Sequence, residues 1–405
     1  MTRSRYAVAA RAIGAAIAVW TAACTARTTP PVTPVAPRDT VVIAPDSRPA
    51  PVPRDTTPPA PPPPIRAALP VRLTFTGDIN LGTSTLPDGI PPDSGRGLLR
   101  QVDSLLTGNL VIGNFEGVLA DTGTSTKCDL PPSRRRPPAG TIARRPNCYA
   151  FMTPTMLAPR LADAGFTHLN LANNHAQDLG LAGRMSTEST LRNLGLKVYG
   201  PQGEITIDTV RSGDRLTIIG VIGFTTYPFA NNLLDIDAST AVVDSLKRLV
   251  DIVVVTFHGG AEGAGAQNVP VGPEYLGKEP RGDLRTWARA VIDAGASIVV
   301  GHGPHVLRGI EFYRGRPIAY SLGNFVTYRG FNLEGPLGIT AIFRVELTGN
   351  GGFTTGHIHP LRQPPRLGPR PDPAGAAIGL MQRLSREDFG AGAARIAPDG
   401  TVSPP

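Results

Sequence analysis

VRLTFTGD, residues 71–78, and NLVIGNFEG, residues 109–117, are the two stretches on which the fold turns. Each is a short apolar run that closes on a glycine and an acid, Asp78 in the first and Glu116 in the second. Runs of this length and composition read as buried strands. The same design recurs in FTHLNLANNH, DIVVVTFHGG and ASIVVGHGPH, each passing from an apolar core into a polar loop, and LKVYG reads as a further strand. Helical patterning separates them at residues 154–164, 180–194, 241–249 and 284–294. Ile205 to Ile222 and IEFYRGRPIAYSLGNF read as hairpins, the second turning at Arg314-Gly315, and Ile339 to Leu347 alternates as a strand. Alternating helices and strands with late hairpins predict an α/β fold, a four-layer α/β/β/α sandwich with mixed sheets, and not a purely parallel doubly wound sheet.

This block, residues 71–360, is long enough to bury a sizeable core and approaches the upper size of one domain. Residues 1–24 differ from it. Arg3, Arg5 and Arg11 precede AIGAAIAVWTAA, an apolar run of small residues that ends at Cys24. That is the pattern of an export signal, and the run is short for a membrane span; a short uncleaved anchor is the alternative. Thr21-Ala22-Ala23-Cys24 resembles the small-residue box of lipoprotein signals, which makes Cys24 a candidate lipidation site. Residues 25–70 are Pro-rich, with almost nothing to bury, and read as a disordered, extended tether. Residues 361–405 read as a Pro/Gly-rich tail with a short helix at 376–384, either packed back on the domain or free. Cys128 and Cys148 flank a Pro/Arg-rich insert. A disulfide persists in an exported chain, and closing a loop of about 20 residues contributes ~3 kcal/mol; two unpaired thiols are the alternative. These features place the chain in the cell envelope, membrane-anchored through a lipid or signal anchor, or periplasmic or extracellular.

The formal charge is +8. Several of its arginines sit in the signal, in Arg134, Arg135 and Arg136, and in the tail, so they form no single nucleic-acid footprint, and no nucleic-acid partner is expected.

Ligand-type residues gather where the strands end. In order they are Asp78, Asn114 and Glu116, Asn174 and His175, His258 with Glu262, then His302 and His305. An α/β fold presents its site at that position. Taken singly, an acid after a strand is usually a helix cap or turn former. Taken together, carboxylates, imidazoles and an amide are what two divalent ions about 3.5–4 Å apart require. A histidine outside the ligand set, with an acid nearby, suits proton transfer or substrate positioning, and His175 with Asp178 fits that role. A network of mutually satisfied polar groups is the alternative at this point.

From Val71 to about Asn350 the chain resembles the CapA capsule synthesis proteins, named for poly-γ-glutamate biosynthesis, within the calcineurin-like metallophosphatase superfamily. The motifs that carry the resemblance are TFTGD, GNFEG, LANNHAQDLG, FHGGAEG, GHGPHVLRGIE and YSLGNF. The resemblance implies a metallophosphatase-like fold with two divalent ions (manganese, iron or zinc) on Asp78, Glu116, Asn174, His258, His302 and His305. It implies a catalytic role for His175 and Asp178, and supporting or substrate-facing positions for Asn80, Asn114, Glu262, Ser321 and Asn324. Three residues depart from the pattern. Asn80 stands where the superfamily commonly has histidine, Glu116 where it usually has aspartate, and Gly303 inside a loop that reads GHHPH in CapA relatives. The implied function is synthesis, transfer or trimming of an extracellular anionic polymer such as poly-γ-glutamate by a hydrolase or amide-transferring enzyme, alongside a membrane-bound synthase complex. The alternatives are a non-catalytic polymer-binding subunit and a phosphoesterase, the latter disfavoured by Asn80.

Overall fold

In Val71–Asn80 alternation sends Val71, Leu73 and Phe75 into one buried cluster, and the register shift between Phe75 and Asp78 turns Ile79 into another. The sheet is therefore covered on both faces. The computed structural model describes residues 69–129, 148–212 and 215–405, all within a unit that runs from Pro64 to Pro405. The export signal, Cys24, the tether up to residue 68 and Arg134 to Arg136 lie outside the described residues.

Among the described residues, ten strands form one sheet and seven another. In the larger, Val71–Asn80 pairs in parallel with Leu110–Phe115 and Asn324–Thr327, and antiparallel with Ile339–Leu347. His168–Asn170 and Lys197–Tyr199 extend the parallel side. In the smaller, Arg215–Thr225, Ile252–His258, Ile298–His302 and Arg316–Ala319 run parallel. Thr206–Ser212 and Ile310–Tyr313 close its edges antiparallel.

The inner faces meet in one cluster, Leu73, Phe75 and Ile112 from one sheet with Val221, Val254 and Val300 from the other. On the outer face of the larger sheet, Leu161 and Leu191, from helices Pro159–Asp163 and Gly180–Asn193, pack with Val111 and Phe115. On the other side, Val243, Trp287 and Val291, from helices Ile236–Lys247 and Leu284–Asp293, pack with Val253 and Val255. Helix, sheet, sheet, helix is the layering that the alternating patterns predict.

Two expectations need correcting. The helix expected from residue 241 begins at Ile236, because the Asp235 side chain accepts from the Ala238 N–H at 2.9 Å and caps it there. The domain boundary expected at residue 360 falls inside the strand Phe353–Arg362, which pairs along its length with Ile339–Leu347. The residues beyond it belong to the domain: Ile378 and Met381 of helix Ala376–Phe389, with Ile396 and Val402, join the cluster between the sheets. Cys128 and Cys148 are disulfide-bonded, with their Cα atoms 5.5 Å apart. Among the described residues no helix is long and apolar enough to cross a membrane.

Candidate metal centre

Strand register brings the ligand types into two rows. In the larger sheet Asp78 is level with Asn324 on one side and Asn114 on the other, and Asn114 is level with Asn170. In the smaller sheet Thr225, His258 and His302 are level. The rows face each other where the parallel strands end. Two glycines allow close approaches, one within the larger sheet and one between the sheets. A Cβ on Gly77 would lie 1.9 Å from the carbonyl oxygen of Gly323, and one on Gly223 would lie 2.3 Å from Asn170 Oδ1 across the seam.

Asp78 is fully buried. Its Oδ1 accepts from Asn114 Nδ2 at 2.8 Å and lies 3.5 Å from His302 Nδ1; its Oδ2 is 2.9 Å from His305 Nδ1. Glu116 follows its strand directly, and three imidazoles turn their Nε2 atoms toward its Oε1: His305 at 3.8 Å, His175 at 3.9 Å and His258 at 4.0 Å. These separations are too long for hydrogen bonds. For His258 and His305 they suit ligands that share a cation with Glu116, whose bonds to oxygen or nitrogen are about 2.0–2.2 Å, with His175 standing beside that position. Both oxygens of Glu116, both ring nitrogens of His302, His258 Nε2 and Asn174 Oδ1 are buried without a hydrogen-bond partner among the described residues. Buried polar groups are ordinarily satisfied, so this concentration of free valences fits a cation site. Asp78, Glu116 and His305 each offer a ligand atom within 4.8 Å of the others, a cluster consistent with metal-dependent hydrolase chemistry.

The other expected residues lie around this cluster, and not all of them face it. Asp178 Oδ2 accepts from His175 Nδ1 at 2.6 Å, which directs His175 Nε2 toward Glu116. Glu262 Oε2 lies 3.9 Å from His305 Nε2. Asn80 turns away from the cluster: its amide donates to the Glu116 carbonyl at 2.9 Å and accepts from the Gly82 N–H at 3.1 Å, so it fixes the Glu116 backbone. Ser321 Oγ accepts from the Gly323 N–H at 3.2 Å and shapes the turn that meets Gly77. Asn324 donates to the His305 carbonyl at 3.3 Å and helps hold that residue at φ 60°, a conformation non-glycine residues rarely adopt.

Several contributors escape sequence reasoning. Lys127 donates to Asp178 Oδ1 at 2.6 Å and to the Asn174 carbonyl at 2.9 Å. Arg281, completely buried, meets Glu262 Oε1 at 2.9 Å and Glu279 Oε1 at 3.3 Å. Asn170 and Asn173 donate to Asn114 Oδ1 at 3.0 and 3.1 Å, which turns the Asn114 NH2 toward Asp78. Adjacency to Cys128 was the one available signal for Lys127; nothing local marks Arg281. A cavity of about 370 Å³ opens over the cluster, walled by Tyr149, Phe151 and Phe331, with His175, His305 and Glu262 among its lining.

Charge is unevenly distributed here. Burial would raise the Asp78 carboxyl, but His302 and His305 hold it well below the usual range. Burial pushes Glu116 well up, reinforced by Asp78 and Glu262. Burial opposes protonation of His305, yet Glu116, Asp78 and Glu262 raise it to about 10. His258 and His175 are lowered, chiefly by burial. The carboxylates and imidazoles thus share protons among themselves, and a bound cation would displace those protons and invert these shifts.

A family model described as bacterial capsule synthesis protein PGA_cap matches residues 72–329. The PGA biosynthesis protein CapA of Bacillus subtilis is 35% identical over 185 residues, 42% of this chain and 45% of that protein. The capsule biosynthesis protein CapA of Bacillus anthracis is 33% identical over 186 residues, 42% of each. The chain spans less than half the length of these curated relatives. Among solved structures, a 5′-nucleotidase precursor from Thermus thermophilus aligns over 79% of this chain and 59% of its own, with 15% identity and a TM-score of 0.39.

Proposed function

The chain belongs to the PGA_cap family of bacterial capsule synthesis proteins, and from that premise we propose that it is an exported, metal-dependent enzyme of the cell envelope. It acts in the synthesis, transfer or trimming of an anionic polymer such as poly-γ-glutamate. The observation that carries the reading is the convergence of three histidine Nε2 atoms on a buried, unpaired oxygen of Glu116. Asp78, Glu116, His302 and His305, with His258 and Asn174, hold two divalent ions. Ions bound there supply Lewis-acid charge at an electrophilic carbonyl or phosphoryl centre. His175, its Nδ1 committed to Asp178, offers Nε2 at the cavity for proton transfer to or from the substrate. Glu262, tied to Arg281, orients His305. A lipid on Cys24 or an uncleaved signal tethers the domain beside a membrane-bound synthase complex.

The test pairs metal analysis with turnover. Purified protein is assayed for bound manganese, iron and zinc, and for cleavage or transfer of γ-linked glutamate polymer and of simple phosphoesters. The expected result is polymer turnover that His175→Asn abolishes while metal content stays at the native level. Bound metal with polymer binding but no turnover of either substrate would instead make this a polymer-binding subunit, and phosphoester turnover alone would make it a phosphoesterase.

A further inference from the structure

Asp178 is 1% exposed, and a buried carboxylate requires donors. It has three. His175 Nδ1 and the Phe151 N–H reach Oδ2 at 2.6 and 2.7 Å, and Lys127 Nζ reaches Oδ1 at 2.6 Å. Two of these donors come from segments that the disulfide joins, since Lys127 precedes Cys128 directly and Phe151 lies three residues beyond Cys148. Lys127 also donates to the carbonyl of Asn174, the residue before His175, and the Phe151 ring stands 4.5 Å from the His175 ring. The two arms are not equally anchored. Phe151 is followed by Met152–Thr153, a strand that pairs with Val118–Leu119. Around Lys127, among the described residues, the nearest backbone bond is a local turn, Asp129 N to Thr126 O, and Cys128 supplies the covalent link to the Cys148 arm.

We infer that Lys127 is a positioning residue for the His175–Asp178 pair, and that the Cys128–Cys148 disulfide holds it in place, so that the pair is fully set only in the oxidised chain. This rests on the reading of His175 as a working group of the site. Because Asp178 only accepts, His175 Nδ1 is the donor between them, and the 3.3 Å approach of Lys127 Nζ to Nδ1 is proximity, not a hydrogen bond. Lys127 therefore acts on His175 through Asp178 and the Asn174 carbonyl. Reduction by a dithiol delivers two electrons and two protons to the sulfurs. The S–S bond breaks, Cys128 and Cys148 become thiols, the reductant closes to its own disulfide, and Lys127 is freed.

The test needs no substrate. The full chain, labelled with 15N-histidine, is examined by NMR for the hydrogen-bonded Nδ1–H of His175, identified by its loss in His175→Gln. His168, whose Nε2 faces Asp208 Oδ2 at 2.6 Å, serves as an internal reporter of intact folding. The oxidised chain should show the His175 signal, and Lys127→Arg, which keeps a cationic donor, should retain it. In the reduced chain and in oxidised Lys127→Met, exchange of that proton should be faster by about tenfold or more, with the His168 signal unchanged. A His175 signal indifferent to both reduction and Lys127→Met overturns the inference while leaving the catalytic reading intact. Absence of the signal in the oxidised native chain, with His168 present, overturns both.

Discussion

His168 and His305 both stand beside a carboxylate, but their surroundings differ in what is left over. Around His168 every valence is met: Nδ1 lies 2.8 Å from Thr167 Oγ1, Nε2 lies 2.6 Å from Asp208 Oδ2, and Asp208 also takes a donor from Lys197. Around His305 the neighbouring Glu116 and His302 keep buried atoms without hydrogen bonds. The first is a closed structural pair and the second an open site. Residue type does not separate a structural histidine from a ligand; unspent valences do.

The comparison breaks most readily at the open end. Glu116→Ala and Asp78→Ala should each weaken binding of manganese or zinc by more than about 100-fold, beyond the 10–100-fold typical of supporting partners, as read by titration and elemental analysis. His168→Ala should leave metal content at the native level. Retention of native affinity by Glu116→Ala would show that the free valences are not ligands.

Asn114→Ala removes a support and no proposed ligand, so metal affinity should fall by about 10–100-fold. At the closed end, His168→Ala leaves Asp208 short of a donor and should destabilise the fold by about 1–3 kcal/mol in urea denaturation, with no change in metal binding.

The smallest effect sharpens the contrast by pH. Burial alone would raise the Asp208 carboxyl, but bonds from His168 and Lys197 bring it down to about 2. Its value in the unfolded chain is about 3.9, so the stabilisation is complete above that pH and is lost as the pH falls toward 2. Asp208→Asn should therefore cost about 1 kcal/mol near pH 6, and the difference from native should vanish near pH 2. A difference that grew on acidification would contradict this sign.

The layers were legible because each strand is an apolar run that closes on polar residues, and the two rows of ligand types were legible because parallel strands end level with one another. Phe353–Arg362 was not, since FTTGHIHPLR mixes glycine, proline and histidines and takes its strand form from pairing with Ile339–Leu347. Lys127 and Arg281 act on the site across 51 and 19 residues of chain respectively, toward Asp178 and Glu262. Such contacts exist only once the fold has closed. Asn80, expected in a supporting or substrate-facing position, serves the backbone of Glu116 with its amide.

Asn114 has a consequence of a mechanical kind. Its Oδ1 is gripped by Asn170 and Asn173, and its Nδ2 reaches Asp78 at 2.8 Å in its own sheet and approaches His258 Nδ1 at 3.4 Å in the other. One side chain therefore acts as a rivet through the seam. A slide of one sheet along the other by a single ångström, small enough to leave the apolar faces in contact, would lengthen one of these links. The longer link, the 3.4 Å approach to His258, is the one such a slide would part first.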